Sequence, residues 1–213
     1  MMRTPKLFLA AVALTLGGCS TLGGDGEGFG SDYYSLARVR PVTVGNGSMV
    51  VTPPRPWNRA RRQLFLFGED QRWVEDWTLN GPYLDGISFV TALPSGRSFL
   101  RQRRTEDRQV PDFRADMSAP EIAAMIESLY RVRGGAVDFR TVSLQPRVFL
   151  GTNGFQLDYE HLDSDELWRR GRAVGAVVNG RLYMTILDAA RSHYYANALP
   201  DYEAMTASAY LRR

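Results

Sequence analysis

The side chains able to do chemistry in this chain of 213 residues are few: two histidines, one cysteine and, past Lys6, no lysine. His161 lies in phase with Phe155, Leu157 and Tyr159 along an alternating run, so it reads as a packed strand residue rather than a catalytic one. His193 precedes Tyr194 and Tyr195 in a connection, where a histidine at a cleft would serve as a general base. Neither histidine has a partner at metal-ligand spacing, and a single cysteine cannot build a cysteine-rich zinc site. No metal or other cofactor is expected. No G-x-S-x-G elbow occurs, and Pro94-Ser95-Gly96 reads as a turn. The acidic run Asp158 to Glu166 lacks the spaced oxygen ladder and central glycine of a calcium loop. Arg169, Arg170 and Arg172 follow at once and balance it locally. Without lysine beyond the first few residues, Schiff-base and lysine-nucleophile mechanisms have no side chain to use.

What remains is binding chemistry. Arg59, Arg61 and Arg62 form one basic cluster, and Arg101, Arg103, Arg104 and Arg108 another. The planar guanidinium fork suits phosphates, lipopolysaccharide and acidic glycans. A genome-wide bias towards arginine codons would give the same residue types without any site. Trp57, Arg59, His193, Tyr194 and Tyr195 are the candidate partner contacts. Trp73, Trp77 and Trp168 could join them, although alternating strand aromatics usually pack.

The elements that must position these residues follow from pattern. A hydrophobic content of 44% fits one globular domain, large enough to bury roughly two-thirds of its unfolded surface. Ser48 to Thr52 reads as a short strand, with Pro56-Trp57-Asn58 in a turn. Arg72 to Leu79 puts Trp73, Glu75, Trp77 and Leu79 on one side of a strand, and Ile87 to Leu93 resumes as its hairpin partner. Arg101 to Arg114 has no periodic apolar face and reads as an exposed connection. Ser118 and Glu121 match a capping box, opening a helix whose stripe is Ile122, Ile126, Leu129 and Val132, with Met125 beside it. Gly134-Gly135 stops it. Val137 to Leu144 and Arg147 to Leu150 read as strands interrupted by Pro146, followed by a turn over Gly151 to Gly154. Phe155 to His161 alternates cleanly. Asn179-Gly180 predicts a two-residue hairpin pairing Val178 with Arg181, Ala176 with Tyr183 and Val174 with Thr185. Pro200 to Leu211 closes the chain as a helix carrying Tyr202, Met205 and Ala209 inward. Runs of strands broken by two helices predict an α+β domain: a mainly antiparallel sheet covered by two helices.

The N-terminus has the form of an export signal. Arg3 and Lys6 precede an apolar run, Leu7 to Leu16, that is too short for the roughly 20 residues a membrane span requires. Leu16-Gly17-Gly18-Cys19 then resembles the lipobox of bacterial lipoproteins. That resemblance implies cleavage between Gly18 and Cys19, a thioether-linked diacylglyceryl group on the cysteine and a further acyl chain on its amine. The alternative is a small-residue signal ending cut nearby without lipidation. Ser20 after the cysteine, by resemblance to lipoprotein sorting, implies the outer membrane, facing the periplasm. The expected organisation is a signal peptide over 1–18, a lipidated cysteine and Gly-rich flexible tether over 19–46, and one domain over 47–213. Loss of Arg3 and Lys6 leaves 24 arginines against 23 acids, +1 rather than +3, which argues against nucleic acid as a partner.

The second half also carries a resemblance. A capped helix, a strand pair, the Asn-Gly hairpin, Arg181 to Ala190 (RLYMTILDAA) and the run Leu199 to Ser208 (LPDYEAMTAS) are similar to the closing strand and terminal helix of PsbP-like and DcrB-like proteins. The similarity spans Val137 to Leu211 and implies an α/β/α sandwich and a non-enzymatic envelope accessory protein. No site residue of that family maps onto this chain. The expectation is therefore a binding lipoprotein without catalytic activity, held to the membrane by its anchor and meeting an envelope protein or glycan. The alternatives are a periplasmic hydrolase using His193 and a carrier of lipid or another small ligand. A cleft joining His193 to a hydroxyl or carboxylate favours the first. An interior apolar cavity favours the second, and a flat aromatic-arginine patch favours partner binding.

Overall fold

Asn179 and Gly180 both take the left-handed conformation that a two-residue hairpin demands, with φ of 50° and 72°. The strands they join, β9 (Trp168–Val178) and β10 (Arg181–Ala190), pair Val178 with Arg181, Ala176 with Tyr183 and Val174 with Thr185, as the turn predicts. The structure, a computed structural model, describes residues 33–61, 72–101, 110–133 and 135–212. The other elements are β1 (Tyr34–Ala37), β2 (Val42–Val44), β3 (Met49–Val51), β4 (Trp57–Ala60), β5 (Val74–Thr78), β6 (Asp85–Pro94), α1 (Ala119–Arg133), β7 (Asp138–Phe149), β8 (Thr152–Leu162), α2 (Tyr194–Ala207) and β11 (Tyr210–Leu211). Eight strands form one antiparallel sheet in the order β1-β4-β5-β6-β10-β9-β8-β7, and β11-β3-β2 form a small second sheet.

Strand alternation divides the core into two layers, one on each face of the large sheet. On one face α1 lays Ile122, Met125, Ile126 and Leu129 against Leu157, Tyr159, Ala173, Leu182, Met184 and Ile186. On the other, Tyr195, Ala198, Tyr202 and Met205 of α2, with Val44, Met49 and Val51 of the small sheet, cover Trp57, Trp77, Phe89, Val174 and Leu187. This is the α+β architecture predicted from the strand runs, with one helix on each side of the sheet.

Several expectations change in detail. Ordered strands begin at Tyr34, upstream of the Gly47 boundary, because β1 pairs with β4 and β2 with β3. Trp57 and Asn58 belong to β4 rather than a turn, since pairing with β1 and β5 extends them. Trp73 packs against the α1-side core, opposite to Trp77. Val110 and Phe113, read as part of an exposed connection, are buried in that same core, and Phe113 bridges to Arg97. Val132 ends the α1 stripe 39% exposed. β7 runs unbroken through Pro146, which is tolerated because β7 is an edge strand with no outer neighbour needing its N–H. The β7–β8 turn is Leu150-Gly151, so Thr152 to Gly154 already lie in β8. α2 starts at Tyr194, with Pro200 inside it.

Candidate functional site

The β7-β8-β9 end of the sheet gathers arginines and aromatics on its α2 side. Register sets Arg140 of β7 opposite Glu160 of β8, and Glu160 opposite Arg170 of β9. One row further in, Ser143, Asp158 and Arg172 line up likewise. α2 packs over β10, β9 and β6, and the outermost residues Arg140, Thr141 and Val142 are exposed. The inner row is a closed network. Arg172 bridges Asp158 (2.6 Å) and Glu203 of α2 (2.7 Å), and Arg147 joins Glu203 (2.7 Å) and Gln156 (2.8 Å). Gln156 and Ser143 each donate to Asp158, at 2.9 and 3.0 Å. Burial alone would raise Asp158 and Glu203. The hydrogen bonds from Arg172, Gln156 and Ser143 to Asp158, and from Arg147 and Arg172 to Glu203, together with the arginine charges outweigh it and hold both carboxyls below their ordinary range.

The outer row is more open. Arg140 and Arg191 both lie against the Trp168 ring, their Cζ atoms 4.9 and 5.1 Å from its centroid. Arg140 pairs with Asp138, and Arg191 with Glu160 at 3.3 Å. Arg170 stacks on the Tyr195 ring at 5.0 Å. Cation–π contacts of this kind hold the guanidinium groups flat on the aromatic faces at this edge of the sheet. The outcome is a patch of three arginines on two aromatic rings at the open edge of the sheet.

Beneath α1 lies a second polar constellation, this one sealed. His161 is 1% exposed. Its Nε2 stands 2.8 Å from Asp188 Oδ2, and its Nδ1 2.7 Å from Asp163 Oδ1 as a charge contact rather than an aligned hydrogen bond. Arg169 pairs with Asp188 and donates to the Tyr83 carbonyl at 2.7 Å. The Tyr159 and Tyr130 hydroxyls are 2.8 Å apart, and the Tyr130 ring stacks on the imidazole at 4.5 Å. Burial would lower the His161 pKa, but the Asp188 and Asp163 charges raise it to about 9. Asp188, which burial would push up, is held at about 2 by Arg169 and His161. Buried in this way, the imidazole is a structural cation, in line with its packed phase in the sequence.

The contacts expected from sequence separate into different places. Trp57 is fully buried and donates from Nε1 to Asp201 at 3.0 Å, so it is a core residue and not a surface contact. Arg59 grips Glu75 with both ends of its fork, Nη2 to Oε2 at 2.8 Å. Glu75 also accepts from Trp77 Nε1 (2.7 Å) and Gly45 N (2.8 Å), so Glu75, gripped by Arg59, fastens the β2–β3 turn to the sheet. His193 is exposed at the start of α2, meeting Asn197 Nδ2 at 3.0 Å and the edge of Tyr194. Tyr194 is half-buried, and Tyr195 is buried at the patch. Gly18 and Cys19 lie outside the described residues, as do Arg62, Arg103, Arg104 and Arg108. Arg140 and Arg191 are not among the contacts expected from sequence, where Arg170 enters only as local charge balance for the acidic run. Their signal was the two-residue spacing of Arg170 and Arg172 along one strand, but their meeting depends on register across three strands.

A groove of about 440 Å³ lies between the β7–β8 turn and the end of α2, lined by Arg147, Phe149, Leu150, Ala207 and Leu211 among others. Its lining includes the exposed Val148 and Tyr210, so it is a surface groove and not an interior cavity. Among the described residues, no group of three acidic, histidine or cysteine side chains could hold a metal ion, and no helix is long and apolar enough to cross a membrane.

No family model and no curated protein matches this sequence. Solved structures do. The solution structure of cyanobacterial PsbP (CyanoP) from Synechocystis sp. PCC 6803 is similar over 92% of this chain and 99% of its own, with a TM-score of 0.50 and 14% identity. LpqN of Mycobacterium tuberculosis, described as involved in cell envelope biogenesis, aligns over 86% of this chain and 94% of its own, with a TM-score of 0.40 and 12% identity. The CyanoP likeness shows that the chain has the PsbP-like fold. At such identity it shows the fold alone.

Proposed function

We propose that the chain is a lipid-anchored, periplasm-facing binding protein of the bacterial outer membrane, attached through Cys19 and meeting an envelope protein or glycan through its arginine-aromatic face. The observation that carries this reading is the outer row itself: three guanidinium groups held on two aromatic rings at the open edge of the sheet. Arginine and aromatic side chains are the types enriched where partners bind tightly. The hydrolase alternative asks for a base bonded to a hydroxyl or carboxylate. His193 is instead bonded to an asparagine amide, and His161 is enclosed by the core. The carrier alternative asks for an enclosed apolar cavity, whereas the groove beside α2 is open to the surface.

The test is site-specific cross-linking in intact cells. A photoreactive amino acid at position 168 should give discrete adducts that the same probe at Leu36, exposed near the opposite edge of the sheet, does not give. The double substitution Arg140→Glu/Arg191→Glu should abolish them. Identical products from both positions, or none from position 168, would remove the support for this face.

A further inference from the structure

Two polar groups in this face lack hydrogen-bond partners among the described residues. Tyr195 is 5% exposed, yet its hydroxyl makes no hydrogen bond among the described residues. Arg170 Nε is equally enclosed and unpartnered. Buried polar groups are nearly always satisfied, so an orphaned pair on one stacked contact points to a partner that the described residues do not provide. Arg170 is also the one guanidinium of this face with no ion pair among the described residues. Arg140 pairs with Asp138, Arg191 with Glu160, Arg172 with Asp158 and Glu203, and Arg147 with Glu203.

The backbone adds to the same place. α2 begins at Tyr194 with no side-chain cap and no acidic residue in its first turn. The positive end of a 14-residue helix is thus left uncompensated beside Arg170 and Tyr195. Arg191 lies three residues before α2 and shares Trp168 with Arg140; both side chains are well exposed. Around Tyr195 the local carboxylates, Asp158 and Glu203, are already engaged by Arg172 and Arg147.

We propose that Arg170, the Tyr195 hydroxyl and the uncapped start of α2 form an oxyanion subsite that takes a phosphoryl group, with Arg191 and Arg140 closing over it. A guanidinium fork, a phenol O–H and helix amides present more donors than the two oxygens of a planar carboxylate can use. They match a tetrahedral dianion with three free oxygens. The inference rests on the reading of this face as a binding surface and is independent of the lipid anchor. The phosphoryl group comes either from a free ion or from the headgroup of an envelope lipid or glycan, and the two are separable by probe.

The full chain, held in a non-ionic detergent at low ionic strength, is titrated calorimetrically with inorganic phosphate and with glycerol 3-phosphate. Saturable binding of at least one probe is expected. Arg170→Gln should weaken it about tenfold, as loss of a charge-assisted bidentate contact does. Tyr195→Phe, which keeps the ring and its stacking, should weaken it about threefold with the melting temperature held or raised. Preference for glycerol 3-phosphate identifies a headgroup, and preference for inorganic phosphate a free ion. No saturable heat from either probe, or equal binding by both variants and the wild type, overturns the subsite and leaves bound water as the partner of Tyr195. If that happens while position 168 still cross-links specifically, the face stands and only its anionic ligand is wrong.

Discussion

His161 carries its proton inside the core because two carboxylates and a tyrosine ring enclose it. Asp188, Asp163, Arg169, Tyr159 and Tyr130 are the ionisable groups around it, from β10, the β8–β9 turn, β9, β8 and α1. Its folded pKa of about 9 lies above the ordinary 6.5, so folding favours the protonated form. The stabilisation is complete below about pH 6.5 and fades as the pH rises through 9. Asp188 works in the opposite direction: held at about 2 against 3.8, its contribution persists above 3.8 and is lost as the pH falls through 2. Urea unfolding should therefore show stability falling between neutral pH and pH 9.5. His161→Gln should flatten that fall and cost about 3–5 kcal/mol at pH 6, the usual penalty for breaking one side of a buried pair. A wild-type stability independent of pH across that window would contradict the pairing. The packed phase of His161 was legible from its alternation with Tyr159. Its partners were not, since Asp188 lies 27 residues away and reaches it only through the register of three strands.

Between elements, one tight constraint is the passage of Tyr159 across Gly171, its register partner on β9. A Cβ at position 171 would stand 2.0 Å from Tyr159 Cζ and 2.3 Å from its hydroxyl oxygen. The ring cannot give way, because it is fully buried and its hydroxyl meets that of Tyr130 on α1. Gly171→Ala should destabilise the domain by about 1–3 kcal/mol, as overpacking does, with α1 loosened from the sheet. Chemical denaturation checks it, and wild-type stability would mean that the ring does not cross the strand as described. Elements with strong local chemistry were readable: the Asn-Gly hairpin in its register, and α1 from Ser118 and Glu121, where Glu121 accepts from the Ser118 N–H and hydroxyl, both at 2.7 Å. Others were not. The start of α2 was misplaced because Pro200 resembles a first-turn proline but sits inside the helix. β1 and β2 were missed because three- and four-residue strands owe their form to their partners, not to their own pattern.

For the whole molecule, the order of strands separates two ends. The described chain enters the sheet at β1, on one edge, while the arginine-aromatic face lies on β7 to β9 at the other, roughly 30 Å away at about 4.8 Å per strand. In a protein tied to a bilayer through Cys19, the chain would thus enter the sheet at the edge opposite to its binding face. The fold class could be read from the sequence of strand runs and helices. The face could not, since it is assembled from strands, a helix start and a connection that meet only in three dimensions. The anchor is the premise on which this orientation depends, and metabolic labelling with radioactive palmitate tests it most directly. Wild-type protein should take up the label and fractionate with the outer membrane, while Cys19→Ala should lose both. Unlabelled wild-type protein, or equal labelling of the variant, would contradict a lipid anchor at Cys19.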